Sequence, residues 1–279
     1  MSDRDRSEPA VWGVDRASLA AMRLSRVRQA YEAEDLWTAV LEAEEILDDK
    51  PDDVEALELL GDAELDLGHG REAELIFARL RGSDERNPTY LSGLAIARFL
   101  SVDFEGALAA ATAALAISPD DAEAHAYAGL SLERLGRYEE AAGHVSEAAR
   151  IDPEGFPSPL AVEDVSWNGL LQRALDGLPE AFQPFYRRVP VVWHHYPDPA
   201  VLRAADPPLS PFSLALYEGT PPPEGEPRVD PRSVRAYRGN LLRFARDMAR
   251  LEEDFSLALA FEAASWLGIE LPLRLEAGR

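Results

Sequence analysis

Ala124-His125-Ala126-Tyr127-Ala128-Gly129, then Leu132, Gly136-Arg137-Tyr138, Ala141, Val145 and Ala148, closing on Ile151-Asp152-Pro153, is the stretch on which the fold of this chain turns. Small residues stand where two helices would cross, a glycine occupies the turn between them, and a proline stops the second helix. The pattern returns upstream every 34 residues, giving units at 20–53, 54–87, 88–121 and 122–155. The second unit repeats it with Leu57, Leu60-Gly61, Gly68, Ala73, Phe77 and Leu80, and the third with Leu91, Leu94-Ala95, Phe104, Ala107, Ala111, Ala114 and Pro119. The first is weaker, with Leu36, Ala39, Ala43, Ile46 and Pro51. A terminal repeat lacks one neighbour and is commonly atypical.

Each unit reads as helix, turn, helix. Ala107, Ala111 and Ala114 fall on one helical face at i, i+4 and i+7, where a missing side chain lets a second helix approach, while leucines of the preceding helix fill the space between. Gly68 and Gly136 suit a helix end that needs a left-handed residue. Gly68-His69-Gly70 is not a phosphate loop, because it lacks both the preceding strand and the downstream Gly-Lys-Ser/Thr.

These residues resemble the tetratricopeptide repeat. The resemblance implies an all-α superhelix whose concave wall is lined by the first helix of each unit, with the second, fifth, ninth, twelfth and thirteenth positions facing the groove. In the second repeat those are Glu55, Glu58, Asp62, Leu65 and Asp66; in the third, Thr89, Ser92, Ile96, Phe99 and Leu100. The implied groove pairs an acidic wall (Glu55, Glu58, Asp62, Asp66) with an apolar one (Ile96, Phe99), matching a protein or peptide that carries Arg or Lys beside large apolar side chains. An alternative reading makes the acids a solvated face and packs Ile96 and Phe99 on the next repeat or the C-terminal domain. Family members that clamp a C-terminal carboxylate use Lys, Asn and Arg in the groove. Leu24, Arg28 and carboxylates stand here instead, which argues against that mode.

Charge points the same way. The formal net charge is −23 and the isoelectric point near 4.6. Residues 1–160 carry 34 acidic and 15 basic side chains, against 17 and 13 in residues 161–279. Such a chain is repelled by nucleic acid and anionic membranes and attracted to basic partners. Cysteine is absent, so disulfides and thiolate metal sites are excluded. Without a membrane-length apolar run or a signal-like start, cytoplasmic residence is the default expectation.

Residues 156–165, rich in proline, read as a linker to a C-terminal domain at 166–279, and residues 1–19 as a separate, disordered N-terminal segment. Beyond the linker, Ser166 can cap a helix through Trp167, Leu170, Leu171 and Leu175. Val189–Tyr196, Phe212–Tyr217 and Ser233–Tyr237 read as strands, the last two separated by the loop opening at Glu218, and a long helix is expected over about 246–267. The expected class is multidomain: an all-α array followed by a small α+β domain.

Several segments of this domain, in this order, resemble a minimal zincin-like metallopeptidase family of bacteria. They are Ala174 to Phe182, the strand Val189 to Trp193, Leu216-Tyr217-Glu218-Gly219, Tyr237-Arg238-Gly239-Asn240-Leu241-Leu242, and the terminal helix, over roughly residues 166–271. The family helix carries His-Glu-x-x-His-x-x-Gly-x-x-Asp, in which two imidazoles and a carboxylate hold zinc and the Glu acts as general base. On this chain the ligand positions hold Phe261, Ser265 and Leu271, while Glu262 and Gly268 persist. The resemblance thus implies a degenerate domain without a catalytic zinc, in which Phe261 fills the volume of the lost metal and Glu262 bonds a backbone group or reaches solvent.

No substitute centre stands out. His194 and His195 are adjacent on a strand, so their side chains point to opposite faces. A glycine-flanked serine elbow, a cysteine nucleophile and a Walker-type loop are all missing. The chain is therefore expected to be a non-catalytic interaction scaffold or adaptor that needs no cofactor. Two alternatives stay open: an enzyme of altered, zinc-independent chemistry using Glu262 with His194 or His195, and a regulatory partner of an active homologue.

Overall fold

The computed structural model describes residues 16–161, 166–220 and 229–271, with side chains from residue 19 onward. Residues 16–19 of the expected N-terminal segment already belong to a helix, and its remainder lies outside the described residues. The chain forms two compact units, Met1–Ala128 and Gly129–Arg279.

The repeat region runs as α1 (Arg16–Glu32), α2 (Leu36–Asp49), α3 (Val54–Asp66), α4 (Gly70–Ser83), α5 (Pro88–Leu100), α6 (Phe104–Leu115), α7 (Ala122–Arg134) and α8 (Tyr138–Ile151). The unit boundary falls within α7. From α1 to α6 each helix packs on its chain neighbour, and α1, α3 and α5 also touch in succession, which builds one wall from the first helices of three repeats. The helix starts keep the 34-residue register. Asp53 accepts from the Ala56 amide at 3.2 Å, Asn87 from Thr89 at 3.0 Å and Asp121 from Ala124 at 2.9 Å. Each satisfies an amide that the first turn leaves without a partner.

The turns keep it too. Positions 34, 68, 102 and 136 all adopt positive φ, at 59°, 79°, 63° and 75°. Gly68 and Gly136 do so without penalty, whereas Glu34 and Val102 hold the same conformation despite their side chains. Between helices the core is built by close approach. The Phe77 ring lies 2.4 Å from where a Cβ on Gly93 would stand, and Ala107, Ala111 and Ala114 are fully buried, as their spacing predicts.

The second unit continues from α7 through α8 to α9 (Trp167–Asp176), α10 (Gln183–Tyr186), β1 (Val191–His194), α11 (Pro199–Leu202), β2 (Ala215–Tyr217), β3 (Val234–Tyr237), α12 (Arg238–Phe244) and α13 (Met248–Leu267). The sheet order is β1-β3-β2, with β1 parallel and β2 antiparallel to β3. Register places Val191, Trp193, Val234, Ala236, Ala215 and Tyr217 on one face. Trp193 meets Phe255 of α13 at 5.0 Å and Tyr217 meets Trp266 at 5.0 Å, so this face is roofed by the long helix. Asp247 caps α13 through the Arg250 amide, and Gly268 ends it at φ 61°.

The expected linker is tied down where it is described. The Leu160 amide donates to the Leu242 carbonyl at 2.9 Å, and residues 162–165 lie outside the described residues. Among the described residues no helix is long and apolar enough to cross a membrane.

Candidate functional site

The wall of the first unit gathers carboxylates from α3 and α7 and tyrosine hydroxyls from α1 and α5. Glu55 is paired with Arg28, Glu58 accepts from the Tyr90 hydroxyl at 2.6 Å, and Asp66 accepts from the Tyr31 hydroxyl at 2.7 Å. Asp62 stands one turn from both Glu58 and Asp66. Its carboxyl is pushed up to about 6, by desolvation first and then by the charges of Asp66 and Glu58. Glu123, on the first turn of α7, is pushed up to about 7 by desolvation, then by Asp121, Asp62 and Asp66. Asp62 and Glu123 both keep access to solvent, so crowding by neighbouring atoms rather than enclosure limits their hydration. The hydroxyls of Tyr31 and Tyr127 are raised as well, again by desolvation first, with Asp66 contributing to both and Glu123 to Tyr127 most strongly among the charges.

The apolar wall is different from the expected one. Ile96 is 6% exposed and Phe99 is 0% exposed, so neither presents a surface to a groove. Phe99 packs on Phe104 at 5.2 Å and edge-on to Tyr127 at 5.6 Å. The physical reason lies in α5, which is apolar on nearly every side and buries nine of its residues. A helix flanked by neighbours on both sides has no free apolar face to offer. The alternative reading of Ile96 and Phe99 as packing residues is the one the structure supports. Ser92 is buried too, donating to Asp121 at 2.7 Å.

Glu123 and Tyr31 belong to the wall although the sequence reading omits them, and the signal for both was within reach. Glu123 is the second residue of the fourth repeat and Tyr31 the twelfth of the first, both groove positions by the register that selects Glu55 and Asp66.

In the second unit, two of the expected ligand positions, Phe261 and Ser265, stand at exposed positions of α13, while Leu271, beyond its end, packs half-buried against the core. Phe261 is 57% exposed and Ser265 is exposed. Phe261 therefore fills no enclosed metal volume among the described residues, which corrects that expectation: a ring with more than half its surface in solvent is not packed into a cavity. Glu262 is 6% exposed and turned inward, where its Oε2 accepts from the Tyr217 amide at 2.8 Å. Desolvation pushes its carboxyl up to about 7, against the lowering by that amide. Four residues on, Trp266 lies edge-on to the Tyr217 ring and donates through Nε1 to the Val229 carbonyl at 3.2 Å.

The two histidines diverge. His194 lies 6.3 Å from the Tyr237 ring, and His195 lies 5.6 Å from Tyr138 and 4.4 Å from Tyr196. Among the described residues, no three His, Asp or Glu side chains form a group that could hold a metal ion. A zinc ion, which the zincin resemblance implies, does not fit the side chains at its positions. Phe261 and Leu271 have no donor atoms, Ser265 faces solvent, and the Glu262 carboxylate is engaged on a backbone amide.

Comparison with known proteins agrees with both halves of the reading. Sequence models of two families match: tetratricopeptide repeat, over residues 18–88, 59–122 and 92–156, and zincin-like metallopeptidase, over residues 186–275. No curated protein matches. Similar solved structures include MamA of AMB-1, at 22% identity and TM-score 0.43, covering 48% of this chain and 78% of that one. A thermophilic tetratricopeptide-repeat protein of Thermus thermophilus is 23% identical with TM-score 0.44, covering 48% and 75%. MamA from residue 41 onward of Desulfovibrio magneticus RS-1 is 16% identical with TM-score 0.45, covering 48% and 76%. The chain thus carries N-terminal tetratricopeptide repeats followed by a C-terminal zincin-like, metallopeptidase-like domain.

Proposed function

We propose that this protein is a non-catalytic interaction scaffold or adaptor whose repeat array takes a basic segment of a partner protein, and whose zincin-like domain serves as a docking or structural module. Tetratricopeptide repeats imply protein partners, and the acidic chemistry of the wall supports a basic one. The observation that carries the reading is the crowding of acidic side chains around Asp62 and Glu123, whose carboxyl groups are raised by desolvation first and by like charge second. The charges acting on Asp62 are Asp66 and Glu58, and those acting on Glu123 are Asp121, Asp62 and Asp66, all acidic. A wall that raises its own carboxyl groups is short of positive charge, and a Lys or Arg side chain from a partner supplies it. The apolar anchor expected beside it has no support at Ile96 or Phe99, so recognition rests on charge and on the Tyr31 and Tyr127 rings.

Titration of the full chain with a short Lys/Arg-rich peptide, against an Asp/Glu-rich peptide of equal length, tests this directly. Binding of the basic peptide alone, weakening with salt, is the expected result. Equal binding of both, or of neither, refutes the groove assignment.

One observation favours the second reading, an enzyme of altered chemistry: Glu262 sits near 7, where a general base works best. Against it, the carboxylate is held by Tyr217, and His194 and His195 meet other rings. Peptide cleavage by the purified protein that disappears in Glu262→Gln would establish that reading and overturn the non-catalytic one.

A further inference from the structure

The geometry points to Glu262 as the closure of the sheet's open edge: its carboxylate holds the outward-facing amide of β2 and so denies that edge to another extended chain. The inference rests on the non-catalytic reading of this domain and gives the retained glutamate a different task.

The argument starts from register. Among the described residues β2 is an edge strand in the order β1-β3-β2. The Glu218 amide donates to Ser233 at 2.7 Å and the Leu214 carbonyl accepts from Tyr237 at 2.9 Å, so residues 214 and 218 turn their backbone groups toward β3. In an antiparallel ladder the residues between alternate, and the Tyr217 amide therefore points away from β3, to the free edge. An unpaired edge amide is a template for strand addition, and proteins that must stay unpaired cover it. Glu262 does so at 2.8 Å.

A second contact from the same helix reinforces the first. Trp266, one turn beyond Glu262, lies edge-on to the Tyr217 ring at 5.0 Å, and a Cβ on Gly219 would stand 3.2 Å from its indole. Side chains at i and i+4 of α13 thus grip the end of one short strand, one by its amide and the other by its ring. The three-residue strand has few ladder bonds of its own, so this grip determines whether its edge stays closed. Phe261 and Ser265 of the same helix are exposed and make neither of these two contacts.

Hydrogen exchange at the Tyr217 amide, read in the full chain for wild type, Glu262→Gln and Glu262→Ala, tests the inference. Glutamine keeps an acceptor oxygen and is expected to keep most of the protection. Alanine removes the acceptor and is expected to speed exchange at that amide by about tenfold or more, while amides of β1 and α9 are unchanged. Equal protection in all three proteins overturns the inference, as does exchange in the Gln variant as fast as in Ala. If Ala unfolds the domain, Glu262→Leu, which keeps the buried volume but no acceptor, decides: Tyr217 protection equal to wild type in that folded protein refutes the closure. Zinc chloride added alone provides a separate arm. Unchanged Tyr217 exchange is expected, and release of the amide with stoichiometric zinc uptake refutes the closure. Cleavage of peptide with Tyr217 protection intact would instead overturn only the non-catalytic reading.

Discussion

Arg134 donates through Nη2 to Oδ1 of Asn240 at 2.7 Å, joining the last helix turn of the fourth repeat's first helix to α12, 106 residues further along the chain. The guanidinium, 1% exposed, also reaches the Pro211 carbonyl at 3.2 Å and lies 3.8 Å over the Tyr196 ring. Its neighbour Glu133 accepts from Arg243 at 2.5 Å and from Tyr196 at 2.8 Å. Glu133 and Arg134 are the twelfth and thirteenth residues of the fourth repeat, groove positions by register, yet here they hold the second unit together.

Breaking this knot should cost far more than breaking a surface pair. Glu133→Ala leaves Arg134 and Arg243 with buried charge short of a partner, and a loss of about 3 kcal/mol is expected. Arg137→Ala, which removes an exposed pair with Glu140, is the control and should leave the unfolding midpoint nearly unchanged. Urea denaturation of both variants checks the contrast.

The acidic wall should make stability and binding depend on pH in opposite directions. Asp62 and Glu123 have carboxyl groups raised to about 6 and about 7, so between roughly pH 4 and 7 the folded chain holds protons that the unfolded chain has released. Their contribution to stability is present below the unfolded values and is lost as pH rises through 6 and 7. The double variant Asp62→Asn, Glu123→Gln is expected to flatten the fall in Tm over that range and to be more stable than wild type at pH 8. A basic peptide should bind more tightly at pH 8 than at pH 5, with proton release that calorimetry in two buffers detects near pH 6.

Within the wall the carboxylates should not be equal. Glu55 is already paired with Arg28 and Glu58 accepts from Tyr90, whereas Asp62 is surrounded by like charge. Asp62→Lys is expected to weaken a basic peptide by about tenfold at low salt, Glu55→Lys by less, and neither should change helicity. Fluorescence anisotropy with a labelled peptide distinguishes them. An equal effect of both would remove Asp62 from the centre of the site.

The turn register makes a prediction of opposite signs at two equivalent positions. Glu34 and Val102 both hold positive φ, at 59° and 63°. Glu34 is exposed, so Glu34→Gly relieves the left-handed strain and is expected to raise stability by up to about 1 kcal/mol. Val102 is 0% exposed, and Val102→Gly loses its buried side chain, about 1.5 kcal/mol or more, which outweighs the relief. Thermal unfolding of the two variants should move in opposite directions.

Whatever depends on local periodicity is legible in the chain itself. Helix pairs, the 34-residue register, the capping residues Asp53, Asn87 and Asp121, and the turns at 68 and 136 follow from side-chain spacing and backbone preference within a few residues. The loss of ligand chemistry at Phe261, Ser265 and Leu271 is likewise a matter of residue type alone. Which of two compatible faces each residue uses is settled by packing instead. Phe99 reads as a groove residue by register but is enclosed, because α5 has neighbours on both sides. Glu133 and Arg134 read the same way but find Arg243, Tyr196 and Asn240, partners separated by up to 110 residues that no local pattern encodes. Glu262 keeps its place in the motif, and only the packing of α13 on β2 shows its carboxylate closing on the Tyr217 amide.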